Sequence, residues 1–519
     1  MMLSESLKLK IGQMVCAGFP TPEVDEQAQK LVNELYIGNF ILFTRNVLNA
    51  KQLCELNNGL RKLAMDKTGI APLIGIDQEG GAVSRYYEGA ALIPGAMALS
   101  AGGSEQIEKV GYTLGAVLKA VGVSIDYAPV MDINIDPRNP IIGNRSFGDD
   151  VDHVSKCGIA MVNGMKKAGM LACVKHYPGH GNVGTDSHLA LPINDTPVEV
   201  LKETEFAPFA RAFEGGADAL MSAHVCYTQI ADTPGTLTKA ILTDILRGEQ
   251  KFEGIAVTDC MEMNAIKELY GCGEGAVRAI EAGIDILTVS HTYEAAKQCV
   301  EAIYAAVESG RITEERINQS YERIMRIKEK YNLAASDADY ELAMKLVHDP
   351  DAIQTNVDIM QNGITCIKEN DVLNVLADKK VACFAPISSA LTGAEDERHE
   401  VLSFSNQFAA AFENAKSVIV PLNEYNDAIA AEVNGDYDVA VVGLYHCRSR
   451  EGQLKLYEAV KATGKPVVAV LLGTPYDYVS IKDADAILAC YEYTPLSVPA
   501  LVKAMKEGKY TGKLPVHVE

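Results

Sequence analysis

The chain contains no tryptophan, no Cys-x-x-Cys pair and no apolar run of about 18 or more residues. Without such a run, no helix is expected to span a membrane. Without paired or regularly spaced cysteines, neither a zinc ribbon nor a disulfide framework is expected. Most of the 12 cysteines instead lie inside apolar runs (Cys16, Cys173, Cys226, Cys366, Cys383, Cys490), as buried reduced thiols do. The missing indole is a mild mark against a carbohydrate protein, since sugars often stack on it, and any stacking falls to Tyr or Phe. A basic patch with interleaved aromatics is missing too. The formal net charge of −22 repels nucleic acid and anionic membrane surfaces, so neither is an expected partner. The start, MMLSESLKLKIGQMVCAGF, has charges and no long apolar core of a signal peptide, and the cytoplasm is the expected location.

What is present is an ordinary globular composition, 48% apolar and 22% charged, in 519 residues, which predicts more than one domain. Eight strand-like apolar runs alternate with helical stretches over the first 300 or so residues: 13–19, 38–43, 72–77, 123–132, 171–176, 217–224, 254–259 and 283–289. Amphipathic segments such as 23–35, 49–67 and 198–213 separate them. Eight β–α units of this length predict a (β/α)8 barrel over 1–335, closed by a helix over 313–331. Residues 336–358 are polar and read as a linker. Five further runs (380–387, 417–420, 438–443, 466–472, 484–490) predict a smaller parallel sheet covered on both faces, an αβα sandwich over 359–519.

Polar residues collect at the predicted strand ends. Asp77-Gln78-Glu79-Gly80-Gly81 follows the third strand, with Arg85 just after. Asn144-Arg145-Ser146-Phe147 follows the fourth, Lys175-His176 ends the fifth and Thr258-Asp259 ends the seventh. The loop after the fifth strand, punctuated by Pro178, Gly179, Gly181 and Gly184, carries His180, Asp186 and His188. Strand ends of a parallel barrel converge on one face, and carboxylates, imidazoles and cations gathered there suit a polar, neutral ligand. A buried carboxylate facing an Asp-polarised His suits covalent catalysis on an acetal, one of several chemistries these residue types allow.

KHYPGHGNVGTDSHLALP resembles the K-H-[FY]-P-G-H-G-x4-D-[ST]-H-x-x-L-P signature of glycoside hydrolase family 3 β-N-acetylglucosaminidases of the NagZ type. DQEGGAVSR, APVMDIN with NPIIGNRSFG, ALMSAHVCY and GIAVTDCMEM match family blocks in the same order. The likeness covers the whole predicted barrel. The tail, above all ADAILACYEYTPLSVPALVKAMKEGKYTGKLPV, more weakly resembles the sandwich of two-domain members. The resemblance implies a retaining double displacement without metal or cofactor: Asp259 as nucleophile, His188 as acid/base and Asp186 as its dyad partner. It implies that Asp77, Arg85, Arg145, Lys175 and His176 hold the N-acetylglucosamine hydroxyls and acetamide. Ala82 stands where members commonly have Arg, which bears on preference for a muropeptide leaving group from peptidoglycan turnover. Cys260 replaces a frequent second Asp.

Other readings stay open. Inorganic phosphate in place of water would make the same machinery a phosphorylase, because an imidazole acid/base does not repel a phosphate dianion. A β-glucosidase fits the dyad motif less well. A non-catalytic sugar-binding protein and a metal-dependent barrel hydrolase are different classes. The metal reading of His176 and His180 needs a helix that Pro178-Gly179 forbids.

Overall fold

The computed structural model describes residues 3–87, 89–184, 191–335, 337–390, 395 and 401–518. Eight parallel strands close into a barrel: β1 (Val15–Ala17), β2 (Asn39–Leu42), β3 (Leu73–Ile76), β4 (Ile125–Asp126), β5 (Leu171–Tyr177), β6 (Ala219–Ser222), β7 (Ile255–Cys260) and β8 (Ile286–Val289). Each strand pairs with its sequence neighbour, and β1 returns to β8 through Val15↔Leu287. Helices wrap the outside, and polar side chains cap their first turns: Asp25 accepts from Ala28 N, Asn49 from Gln52 N, Asp150 from His153 N and Thr313 from Arg316 N.

Two departures from the expected elements have plain causes. The run 123–132 is a strand only over Ile125–Asp126, after which a single bridge, Val130 to Lys175, keeps it beside β5. Pro129 lies between and has no N–H to continue the ladder. The amphipathic stretch 198–213 splits into helices Val198–Glu203 and Ala207–Glu214, because Pro208 cannot sit inside a helix but fits its first turn.

A second sheet follows, with strands β9 (Thr365–Lys368), β10 (Val381–Ala385), β11 (Ala415–Ile419), β12 (Val439–Leu444), β13 (Val467–Leu471) and β14 (Ala486–Ala489) in the order β9-β14-β13-β12-β10-β11. The five expected runs correspond to β10 to β14. β9 was not anticipated: it is a short antiparallel edge strand paired with β14, and three of its four residues are half-exposed, so no apolar run marks it. The stretch read as a linker, 336–358, holds helix Tyr340–Val347 and the start of helix Pro350–Gly363. The second helix packs on Ala96–Gly103 of the barrel so closely that a side chain at Gly102 would meet the Ile359 carbonyl. Met97, Ala98 and Ala101 from that barrel helix join the apolar core of the second sheet. Among the described residues no helix is long and apolar enough to cross a membrane.

Candidate active site

The carboxyl ends of the barrel strands carry the ionisable groups. β3 delivers Asp77, and a tight hairpin follows, Gln78–Gly80 against Val83–Ser84. Gly80 (φ 93°) and Gly81 (φ 58°) make its turn in the left-handed region that glycine tolerates. Gln78 pins the hairpin to the chain beyond it, accepting from the Arg85 and Tyr86 amides (2.9 and 3.1 Å) and donating to the Tyr86 carbonyl (3.0 Å). A 3₁₀ turn, Gly143–Arg145, presents Arg145. Lys175 and His176 come from β5, and Asp259 from β7. The register slips between Lys175 and Tyr177 on β5 and between Val257 and Cys260 on β7. Such slips re-aim side chains, and they fall on the residues the sequence singled out.

The charges are paired. Lys175 Nζ lies 2.7 Å from both Asp77 Oδ1 and Glu79 Oε1. Arg145 binds Glu79 through two hydrogen bonds, Nε to Oε2 at 2.9 Å and Nη2 to Oε1 at 2.7 Å. Arg85 Nη2 is 3.8 Å from Asp77 Oδ2. Burial alone would raise the Glu79 carboxyl, but Arg145 and Lys175 outweigh it and hold the group well below the ordinary carboxylate range. Burial would likewise discharge Lys175, and Asp77 and Glu79 reverse the sign and raise it. Fully buried Asp132 is hydrogen-bonded to His176 Nδ1 at 2.7 Å and accepts the His180 amide at 2.7 Å. The two imidazoles hold Asp132 below its ordinary value against burial. His180 is pushed down to about 4 by burial and by His176 beside it, so it is neutral at pH 7.

These groups line a cavity of about 420 Å³. Four carboxylates (Asp77, Glu79, Asp259, Glu262) and four cations (Arg45, Arg85, Arg145, Lys175) share its wall with His176, His180 and His291. A balanced wall of this kind offers a neutral polyol donors and acceptors already held by one another. Six of the eight sequence-derived candidates therefore meet in one cavity: Asp77, Arg85, Arg145, Lys175, His176 and Asp259. Asp186 and His188 lie outside the described residues. Among the described residues no three His, Cys, Asp or Glu side chains gather as metal ligands.

Two further charged residues of the wall, Glu262 and Arg45, are not among the candidates drawn from the sequence. Glu262 accepts from the His291 amide and the Thr292 hydroxyl, both at 2.7 Å, tying the loop after β7 to the loop after β8. Arg45 hydrogen-bonds the Phe19 and Ser290 carbonyls and stands over the Phe43 ring at 4.5 Å. Both sit just past strand ends, the position that was the available signal. His224 is structural, bridging Thr236 Oγ1 (2.9 Å) and the Cys260 carbonyl (3.0 Å). Tyr86 and Tyr227, close to these strand ends, are buried core rings and offer no face for stacking. Asp132 partners the His176 imidazole and the His180 amide, outside the Lys175 and Arg145 network.

Residues 6–327 match the family described as "Glycosyl hydrolase family 3 N terminal domain". The chain belongs to glycosyl hydrolase family 3. It is a glycoside hydrolase of two-domain form, and this likeness extends past the barrel. A solved family 3 β-N-acetylglucosaminidase from Paenibacillus sp. str. FPU-7 is 33% identical, with a TM-score of 0.93 over 99% of each chain. Beta-hexosaminidase A of Pseudoalteromonas piscicida is 27% identical over 91% of this chain and 85% of its own. A beta-hexosaminidase of Chromobacterium violaceum is 34% identical over 55% of this chain and 80% of its own.

Proposed function

We propose that this family 3 enzyme is a retaining β-N-acetylglucosaminidase that removes terminal β-linked N-acetylglucosamine from small glycosides or muropeptides. The observation that carries the reading is the shared cavity: Asp259 opens onto a wall of paired charges from three other segments, the exit of β3, the turn Gly143–Arg145 and the end of β5. The whole-length likeness to the Paenibacillus β-N-acetylglucosaminidase supports the sugar. In the first step an Asp259 oxygen bonds to the anomeric carbon as the bond to the leaving oxygen breaks, and His188 gives that oxygen its proton. In the second, water bonds to the same carbon, its proton passes to His188, and the Asp259 ester opens. Asp186 orients the imidazole and favours the charged form that it needs before the first step and regains in the second. Asp77, Arg85, Arg145, Lys175 and His176 hold the hydroxyls and acetamide, and their pairing with one another and with Glu79 and Asp132 means they need not reorganise when charge develops on the sugar. The twelve free cysteines support a reducing compartment such as the cytoplasm.

Hydrolysis of an aryl β-N-acetylglucosaminide, with and without inorganic phosphate, tests this. The parent should turn over, and Asp259→Ala should lose more than about a thousandfold in kcat. A parent inert towards this substrate and the matching glucoside overturns the reading. Glycosyl phosphate among the products would make the enzyme a phosphorylase.

A further inference from the structure

Beyond β14 the chain turns back onto the barrel, and two consecutive residues there touch both loops that build the sugar-binding wall. Tyr491 has a left-handed backbone (φ 67°), rare for an aromatic residue. Its hydroxyl donates to Thr365 Oγ1 at 2.6 Å on β9, and its carbonyl accepts from Asn144 Nδ2 at 2.6 Å. Asn144 immediately precedes Arg145. Glu492 is 2% exposed although it carries a carboxylate. Its Oε2 accepts the Gly95 amide at 2.6 Å, and its Oε1 accepts from Thr494 Oγ1 at 2.6 Å. Glu492 Oε2 also packs on Gly81, where a Cβ would come within 2.9 Å of it, and Gly81 is the turn of the hairpin that carries Glu79. The Gly81 amide in turn donates to the Ile93 carbonyl, so the hairpin and the 93–95 segment form one unit under the carboxylate.

We propose that Tyr491-Glu492 is a clamp by which the second domain positions the barrel's sugar-binding side chains, with Glu492 as the positioning residue. Loops at a barrel mouth are mobile unless tied, and Arg145 and Glu79 sit on two separate loops that must meet within hydrogen-bond distance. The clamp reaches each from outside the cavity, touches no reacting atom, and explains why a carboxylate is buried at a domain interface. The proposal rests on the sugar-hydrolase reading for its kinetic arm only.

Glu492→Ala, Glu492→Gln, Asn144→Ala and, as a control for domain docking, Tyr476→Phe would be compared with the parent. Tyr476 donates to the Asn134 carbonyl at 3.3 Å across the same interface, away from the hairpin. Glu492→Ala should lower kcat/KM on the aryl β-N-acetylglucosaminide about tenfold, carried mainly by KM. Amide exchange should quicken over 78–84 and 143–147, with β1 and β2 unchanged. Glu492→Gln, which keeps an acceptor, should stay within about threefold of the parent. Asn144→Ala should raise KM on its own, and it decides the matter if Glu492→Ala does not fold. An unchanged KM with slower kcat, exchange changes confined to the second domain, or the same losses in Tyr476→Phe would overturn the clamp. If the parent is inert on the substrate, the activity reading fails while the exchange data still judge the clamp.

Discussion

The barrel mouth and the carboxyl edge of the second sheet are made alike, from parallel strands covered by helices, yet they treat buried charge in opposite ways. At the mouth, Lys175 sits between Asp77 and Glu79, Arg145 closes on Glu79, and burial ends in carboxylates and cations held charged, with His180 beside them left neutral. In the second sheet, β10, β12, β13 and β14 are buried along their whole length and run out into Tyr445, Leu472 and Tyr491. The ionisable groups there are pushed towards neutrality: His446 down to about 4 by burial and by Arg450 and Arg448, and Asp477 up to about 6 by burial. Closure explains the difference. A barrel brings eight strand ends into a ring, where opposite charges from distant segments converge, whereas an open sheet lays its ends in a row. Asp126 supplies the internal control. It lies on β4 itself, buried, and there desolvation outweighs the pull of Lys175 and raises its carboxyl well above the ordinary value.

The largest test of this contrast is Lys175→Met. It leaves two carboxylates buried without their shared cation, and should cost about 3–5 kcal/mol of stability in urea denaturation. A cost within about 1 kcal/mol, the size of an ordinary surface change, would mean the network adds little and the contrast fails.

Next in size is the pH dependence of the two regions. Glu79 and Asp132 are held below their ordinary values, so the stability they contribute is present above about pH 4 and is lost as the pH falls further. Asp477 runs the other way. Its carboxyl moves from an ordinary 3.8 to about 6, so the folded protein holds a proton that the unfolded chain has released. The contribution of Asp477 should fall on the order of 3 kcal/mol as pH rises from about 4 to 6, against the opposite contributions of His180 and His446. The difference in stability between the parent and Asp477→Asn, taken from denaturation curves across the window, should show that decline. A decline unchanged by the substitution would place its origin elsewhere.

The smallest effect is expected in the apolar sheet itself. Ile487→Val removes one buried methylene from β14 and should cost about 1 kcal/mol, with kcat and KM unaltered. A change in KM would show that packing within the second sheet, and not only the Tyr491-Glu492 contacts, reaches the cavity.

The strand order of the barrel and the origin of Asp77, Arg145, Lys175, His176 and Asp259 at strand ends were legible because they follow from local signals. Those signals are apolar runs of strand length, helical periodicity between them, and polar residues where each run stops. The structure differs where a single residue overrides such a signal, at Pro129 within β4's expected length and at Pro208 within an expected helix. β9 was missed because an edge strand with exposed side chains has no apolar run to detect. Glu262 precedes the helix Asn264–Tyr270 and also lines the mouth, and only the position of the His291 and Thr292 loop reveals the second role.

From its own residues, then, the chain determined which segments become strands, which side chains stand at their ends and which family motifs they spell. Tertiary structure alone decided which charges meet. Lys175 and Asp77 are 98 residues apart and Arg145 and Glu79 66 apart, while Glu492 reaches across 397 residues to Gly95. Such pairings depend on barrel closure, domain docking and the loss of water around each group, and none of these is a property of neighbouring residues in the chain.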